Sequence, residues 1–184
     1  MNQVPVNRVT LYGLLTACTA AVDLISKELV FRRFGLHNGT DWLLDGWLRF
    51  RVFNSLNRGA LWGVGQGFAL GFAAVSVVAL VGIWYWLFWR RACRSAWLTT
   101  ALGFVSGGTL GNFYDRLGLH ALTDANGQTI CAVRDFLDFR LGSFDWAIFN
   151  IADVCLVTGA VMLVLQSLTM PQESPLPTTE VGRS

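Results

Sequence analysis

Four stretches of the chain stay apolar for about 20 residues, the length a helix needs to cross bilayer hydrocarbon. They cover roughly 8–30, 66–89, 95–114 and 146–168. Four crossings put both termini on one side. The short basic connector RRACR (90–94) joins the second and third stretches as a turn between antiparallel helices, whereas the connectors at about 31–65 and 115–145 are longer and share the opposite face. In WLRFRVF (47–53), Leu48, Phe50 and Val52 alternate with Arg49 and Arg51, the period of a half-exposed strand. A small sheet resting at the membrane surface is expected there. From Pro171 the polar tail holds three of the four prolines, which predicts disorder over 171–184. Residues 1–170 read as a single domain, an all-α membrane protein of four transmembrane helices with a small β-rich segment.

Composition sharpens this picture. Of 184 residues, 53% are hydrophobic and 14% charged, with 8 Trp and 13 Phe, more apolar side chain than one small water-soluble core uses. A net charge of +2 with scattered basic residues does not make a nucleic-acid surface. The four cysteines, Cys18, Cys93, Cys131 and Cys155, are far apart, and His37 and His120 are the only histidines. No metal site, disulfide framework or cofactor is expected from such a set. LTAC at 15–18 looks like the end of a lipoprotein signal peptide, but the apolar run continues past Cys18 and one basic residue precedes it, so a packed helix is the better reading. Gly103, Gly107 and Gly111 recur every four residues, a stripe that lets membrane helices approach closely and marks the third helix as central.

Ionisable side chains in membrane helices cost roughly 2.5–3.5 kcal/mol at mid-span, so each needs a compensating role. Asp23 and Lys27 are four apart on one face, in reach of an ion pair. At the end of the third stretch, GGTLGNFYDR places Asn112, Asp115 and Arg116 in one direction. In the fourth, Asn150 and Asp153 are three apart, and a continuous helix from Trp146 would put Asp153 roughly 10 Å along it. The second stretch begins just after NRGALWG, with Asn57 and Gly59 at the same boundary. Polar groups thus gather at the end carrying the long connectors, as a site does.

With no useful histidine or metal cluster, the economical chemistry is a pair of aspartates sharing a proton, one acting as base toward water while its protonated partner donates to a substrate carbonyl. Asp153 is one member, and spacing leaves Asp115, Asp135 and Asp138 as candidates for the other. Two rivals fare worse. Ser26 and Lys27 are helix neighbours that point about 100° apart, a poor nucleophile–base pair. A proton-conducting transporter would carry polar groups through to the far face.

DLISK (23–27), NRGALWG (57–63), GGTLGNFYDR (107–116), VRDF (133–136) and FNIAD (149–153) occur in order and on the expected elements. With these motifs the chain resembles the lipoprotein signal peptidases, or signal peptidase II, which are membrane aspartyl peptidases. The resemblance implies that Asp135 and Asp153 are catalytic, and that Asp23, Lys27, Asn57, Gly59, Gly108, Asn112, Asp115, Arg116, Asn150 and Ala152 support substrate or site. It implies cleavage of diacylglyceryl-modified prolipoproteins on the amino side of the lipid-modified cysteine, substrate entry from membrane lipid, and inhibition by globomycin. It also implies a site at the extracytoplasmic face of the bacterial inner membrane, with cytoplasmic termini. A plain arginine count points the other way, with five basic residues on the terminal face (Arg8, Arg90, Arg91, Arg94, Arg183) and eight on the face of the long connectors. Three departures from the family pattern stand out: a longer segment from Arg116 to Asp135, expected to form a flap over the cleft or to alter substrate preference, an arginine at 134 where apolar residues are more usual, and Trp62 in NRGALWG.

Overall fold

The computed structural model describes residues 5–59, 65, 67–92 and 95–169; Trp62, Cys93, Arg94 and the tail at 171–184 lie outside them. Four helices and four strands follow in the order α1 (Val6–Phe34), β1 (Leu44–Asp45), β2 (Leu48–Asn57), α2 (Ala69–Trp84), α3 (Ala96–Arg116), β3 (Val133–Leu141), β4 (Phe144–Asp145) and α4 (Ile151–Thr169). α2 continues into a π-helical turn over Tyr85–Trp89. Three of these helical segments, Val6–Phe34, Ala69–Trp89 and Ile151–Thr169, are long and apolar enough to cross a membrane. The molecule is a mostly helical, multi-pass membrane protein with a small antiparallel sheet.

α3 carries the glycine stripe and packs against α1, α2 and α4. A Cβ at Gly107 would lie 2.8 Å from the Thr16 carbonyl oxygen of α1, and one at Gly108 would lie 2.5 Å from the Ala152 carbonyl oxygen of α4. Adjacent glycines therefore let two backbones close on opposite sides of α3. At the other end of the bundle, Leu98 and Leu102 of α3 bury against Leu87. The outward faces of α2 and α4 remain apolar and open, as with Val78 at 73% exposure and Val164 at 57%, the pattern of helices solvated by lipid.

The sheet has the order β1-β2-β3-β4, antiparallel throughout. Leu48 pairs with Leu141, Phe50 with Phe139 and Val52 with Leu137 on one face, while Arg49 pairs with Arg140 and Arg51 with Asp138 on the other. The alternation of β2 thus forms a true strand. Between Val52 and Ser55 the register shifts, and in this bulge the buried Asn54 turns its amide toward the end of α1, donating to Gly35 O (2.6 Å) and Val30 O (3.3 Å).

The long segment after Arg116 forms no named helix or strand, with one bridge between Thr123 and Thr129, until β3 begins at Val133, so Asp135 stands on a strand. One expectation needs correction. The fourth helix starts at Ile151 instead of at 146. Phe136 and Leu137 of β3 capture Phe149 through backbone bonds of 2.9–3.2 Å, which holds the chain extended up to Asn150. Asp153 therefore lies in the first turn of α4, not 10 Å along it.

Candidate active site

Asn150 is the N-cap of α4. Its carbonyl accepts the first helical bond from Val154 N, its Oδ1 accepts from Asp153 N at 3.1 Å, and Asp153 Oδ2 accepts in return from Asn150 N at 3.2 Å. This reciprocal arrangement is a capping box built from Asn and Asp. The next free donor, Ala152 N, gives its hydrogen to Asp23 Oδ1 of α1 at 2.8 Å. The amide and carboxylate of FNIAD thus sit at a helix start, where unpaired N–H groups and the macrodipole suit an anion.

The Asn150 side-chain amide has a second task. Its Nδ2 donates to Asp135 Oδ1 at 2.6 Å and to Asn112 Oδ1 at 3.1 Å, while Asn112 Nδ2 donates to Asp153 Oδ1 at 2.8 Å. Two asparagines from α3 and the start of α4 therefore tie Asp135 and Asp153 into one network. Burial pushes the Asp135 carboxyl up to about 7, the Asp153 charge adds to that, and the hydrogen bonds from Asn150 and Asn57 oppose it.

Behind the asparagines lies a cluster of buried charges. Lys27 and Asp23 have no exposed side-chain surface and meet at 2.7 Å; Lys27 Nζ also reaches Asp115 Oδ2 (3.2 Å) and donates to Asn112 Oδ1 (2.9 Å). Asp115 accepts from Arg134, by its backbone N (2.9 Å), Nε (3.1 Å) and Nη2 (2.9 Å). Arg134 is itself 2% exposed and extends to Glu28 at 3.0 Å. Ions this deeply buried persist only when paired and hydrogen-bonded on all sides.

A cavity of about 810 Å³ opens in front of the aspartates. Its polar end is formed by Asn57, Gly59, Asn112, Arg116, Asp135 and Asp153, and its apolar wall includes Leu48, Phe139, Leu141, Trp146, Val154 and Val157. Asn57 Oδ1 accepts from Gly59 N at 3.0 Å, which fixes the chain at the rim. The Arg116 guanidinium lies 5.2 Å from the Phe72 ring centroid, a cation–π contact, and is close enough to attract Asp153, Asp135 and Asp115.

Among the three candidates for the second acid, the geometry differs sharply. Asp135 faces the cavity. Asp138 pairs with Arg51 at 2.6 Å on the sheet's charged face, and Asp115 is turned toward α1 and β3 instead of sharing the direction of Asn112 and Arg116. Gly108 and Ala152 mark the point where α3 and α4 touch, behind the network. Glu28 and Asn54 join the predicted residues here, and Arg134 has a place in the cluster beyond being unusual in sequence. Their signal is positional: a charged or amide side chain at the end of α1 or within an otherwise apolar strand stretch.

Comparison with known proteins extends this geometry to a family. The family model for signal peptidase (SPase) II matches residues 15–169. A lipoprotein signal peptidase of Rhodopirellula baltica is 44% identical over 166 residues, covering 89% of this chain and 74% of the relative. One of Methylorubrum extorquens is 35% identical over 161 residues, 85% of each chain, and one of Bacillus pumilus is 29% identical over 157 residues, 85% of this chain and 92% of the relative. Two solved structures of a bacterial membrane enzyme, obtained by the in meso method at 2.3 and 1.9 Å, share the fold with TM-scores of 0.70 and 0.69 at 21% identity, covering 89% and 87% of this chain and 94% of each of theirs. With a family model spanning most of its length and close relatives covering both partners, the chain belongs to the signal peptidase II family.

Proposed function

We propose that the protein is an aspartic endopeptidase that removes the signal peptide from diacylglyceryl-modified prolipoproteins, cutting on the amino side of the lipid-modified cysteine. The observation carrying this reading is that Asp135 and Asp153, hydrogen-bonded to the same Asn150, line one cavity whose remaining wall is apolar. The polar end suits a peptide bond, and the wall suits acyl chains and the hydrophobic residues of a signal peptide.

In this reading Asp135, buried beside the Asp153 charge with its pKa raised and its Oδ1 accepting from Asn150, is the member of the pair that holds the shared proton. Asp153, with both oxygens accepting N–H donors at a helix start, is the base. Asp153 takes a proton from water as the water oxygen bonds to the scissile carbonyl carbon, and Asp135 gives its proton to the carbonyl oxygen. The tetrahedral diol then collapses: the proton on Asp153 goes to the leaving nitrogen, the C–N bond breaks, and a diol hydroxyl returns its proton to Asp135. Arg116, beside both acids, is placed to balance charge in this sequence.

In this reading α3 joins the three apolar helices as a fourth span, and residues 1–170 form one domain. The sheet and the aspartates face the extracytoplasmic side of a bacterial inner membrane, and globomycin occupies the same cavity. The test is to incubate purified protein with a lipidated prolipoprotein and its unlipidated counterpart and locate the cut by mass spectrometry. Cleavage before the lipid-modified cysteine, with strong preference for the lipidated form, is expected. No cleavage of either, or cleavage elsewhere, would contradict the reading.

A further inference from the structure

Arg134 stands immediately before Asp135 on β3, and neighbouring strand residues face opposite ways. While Asp135 faces the cavity, the Arg134 guanidinium runs into the protein between α1 and α3. There it grips Asp115 at the end of α3 with side chain and backbone together, reaches Glu28 of α1 at 3.0 Å, and stands 6.0 Å from the Phe31 ring. A side chain 2% exposed, joining three elements through both of its ends, is not a surface accident.

The contacts continue from Asp115. Asp115 holds Lys27, Lys27 donates to Asn112, and Asn112 donates to Asp153. Arg134 is therefore linked to one acid by a peptide bond and to the other by a chain of ion pairs and hydrogen bonds. Charge agrees with this: Asp23 and Asp115 are balanced by Lys27 and Arg134, so the fully buried cluster is neutral only with the arginine present. From this geometry we infer that Arg134 is a positioning residue that fixes the separation of Asp135 and Asp153, acting through Asp115, Lys27 and Asn112 without touching substrate. The inference rests on the aspartate pair proposed above.

A positioning role predicts a specific kinetic signature. The cavity wall that binds acyl chain and signal peptide does not include Arg134, so its loss changes the chemical step and leaves substrate binding in place. Misplacement of reacting groups by about 1 Å costs on the order of 100-fold in rate.

The experiment compares kcat and KM for wild type, Arg134→Met, Arg134→Lys, Asp153→Asn and Leu98→Ala on a lipidated prolipoprotein, with melting temperatures measured alongside. Leu98 lies in the apolar cluster at the far end of the bundle and controls for destabilisation alone. Arg134→Met is expected to lower kcat about 10- to 100-fold with KM changed less than about threefold, and Arg134→Lys, which keeps the charge but not the two-ended grip, to fall between it and wild type. Leu98→Ala, at a similar loss in melting temperature, retains wild-type kcat. A kcat of Arg134→Met within twofold of wild type, or no lower than that of Leu98→Ala, would overturn the inference while leaving the aspartate pair standing; should Arg134→Met not fold, wild-type kcat in Arg134→Lys would overturn it equally. A wild-type rate in Asp153→Asn would instead remove the reading on which it rests.

Discussion

Asn150 serves the helix and the proposed acid pair with one side chain: Oδ1 caps α4 while Nδ2 bridges Asp135 and Asn112. These roles can be separated. Asn150→Ser keeps a capping oxygen but loses the bridging amide, so it should retain most helix stability and lose activity. Asn150→Ala loses both, at an additional cost of about 1 kcal/mol for the cap; comparing melting temperature with cleavage rate for the two variants checks this. Asp135 gives a second prediction. Its native pKa of about 7 lies above the ordinary 3.8, so between those values the native state binds more protons than the unfolded one. Its contribution to stability is complete below the lower value and is lost as pH rises through the upper one. Asp135→Asn should therefore melt higher than wild type at pH 8, by about 5 °C, and equally at pH 4, while wild-type kcat falls as pH rises through about 7 because the proton on Asp135 is spent. A higher wild-type melting point at pH 8 would contradict the assignment.

At the scale of elements, α3 holds the site together by being thin. A methyl group at Gly108 would meet the Ala152 carbonyl oxygen, a backbone atom that cannot turn aside, whereas one at Gly103 would meet the Leu15 side chain at 3.0 Å. Gly108→Ala should cost about 1–3 kcal/mol and reduce cleavage, since it separates Asn112 from Asp153, while Gly103→Ala should cost less and leave kcat unchanged; melting curves and rates on the same preparations decide. The sequence made much of this architecture legible. The helix periods, the glycine stripe and the alternation in β2 all depend on local pattern and were readable from it. β3 was not, because Arg134, Asp135 and Asp138 interrupt the apolar residues, and their partners Asp115, Asn150 and Arg51 are distant in sequence. The start of α4 was misread for a related reason: Trp146 to Asn150 is apolar enough to continue a span, but Phe149 is captured by β3. Motif resemblance singled out Asp135 where spacing left three candidates, and the cavity-facing geometry is independent of that choice.

For the whole molecule, the sheet and the bilayer have to be considered together. Five of the eight arginines on the long-connector face are held in ion pairs: Arg32 with Glu28, Arg49 with Asp45, Arg51 with Asp138, Arg134 with Asp115 and Arg140 with Asp145. Arg51 and Arg134 are the more buried of these, at 24% and 2% exposure, and belong to the sheet and the buried charge cluster. The hairpin ends are joined by Gly142 N to Trp47 O at 2.7 Å, and Trp47 is 76% exposed. Trp47 should therefore sit at the lipid boundary, as amphipathic aromatics do. The emission lost in Trp47→Phe should be quenched by lipids brominated near the headgroup, and quenching by aqueous acrylamide alone would place the sheet clear of the leaflet. The most direct measurement of the central claim is the cleavage rate of a lipidated prolipoprotein by wild type, Asp135→Asn and Asp153→Asn, each with and without excess chelator. Loss of at least about 1,000-fold in each amide variant and no effect of chelator on wild type are expected; a wild-type rate from either variant, or activity abolished by chelator, would rule out a metal-free aspartate pair.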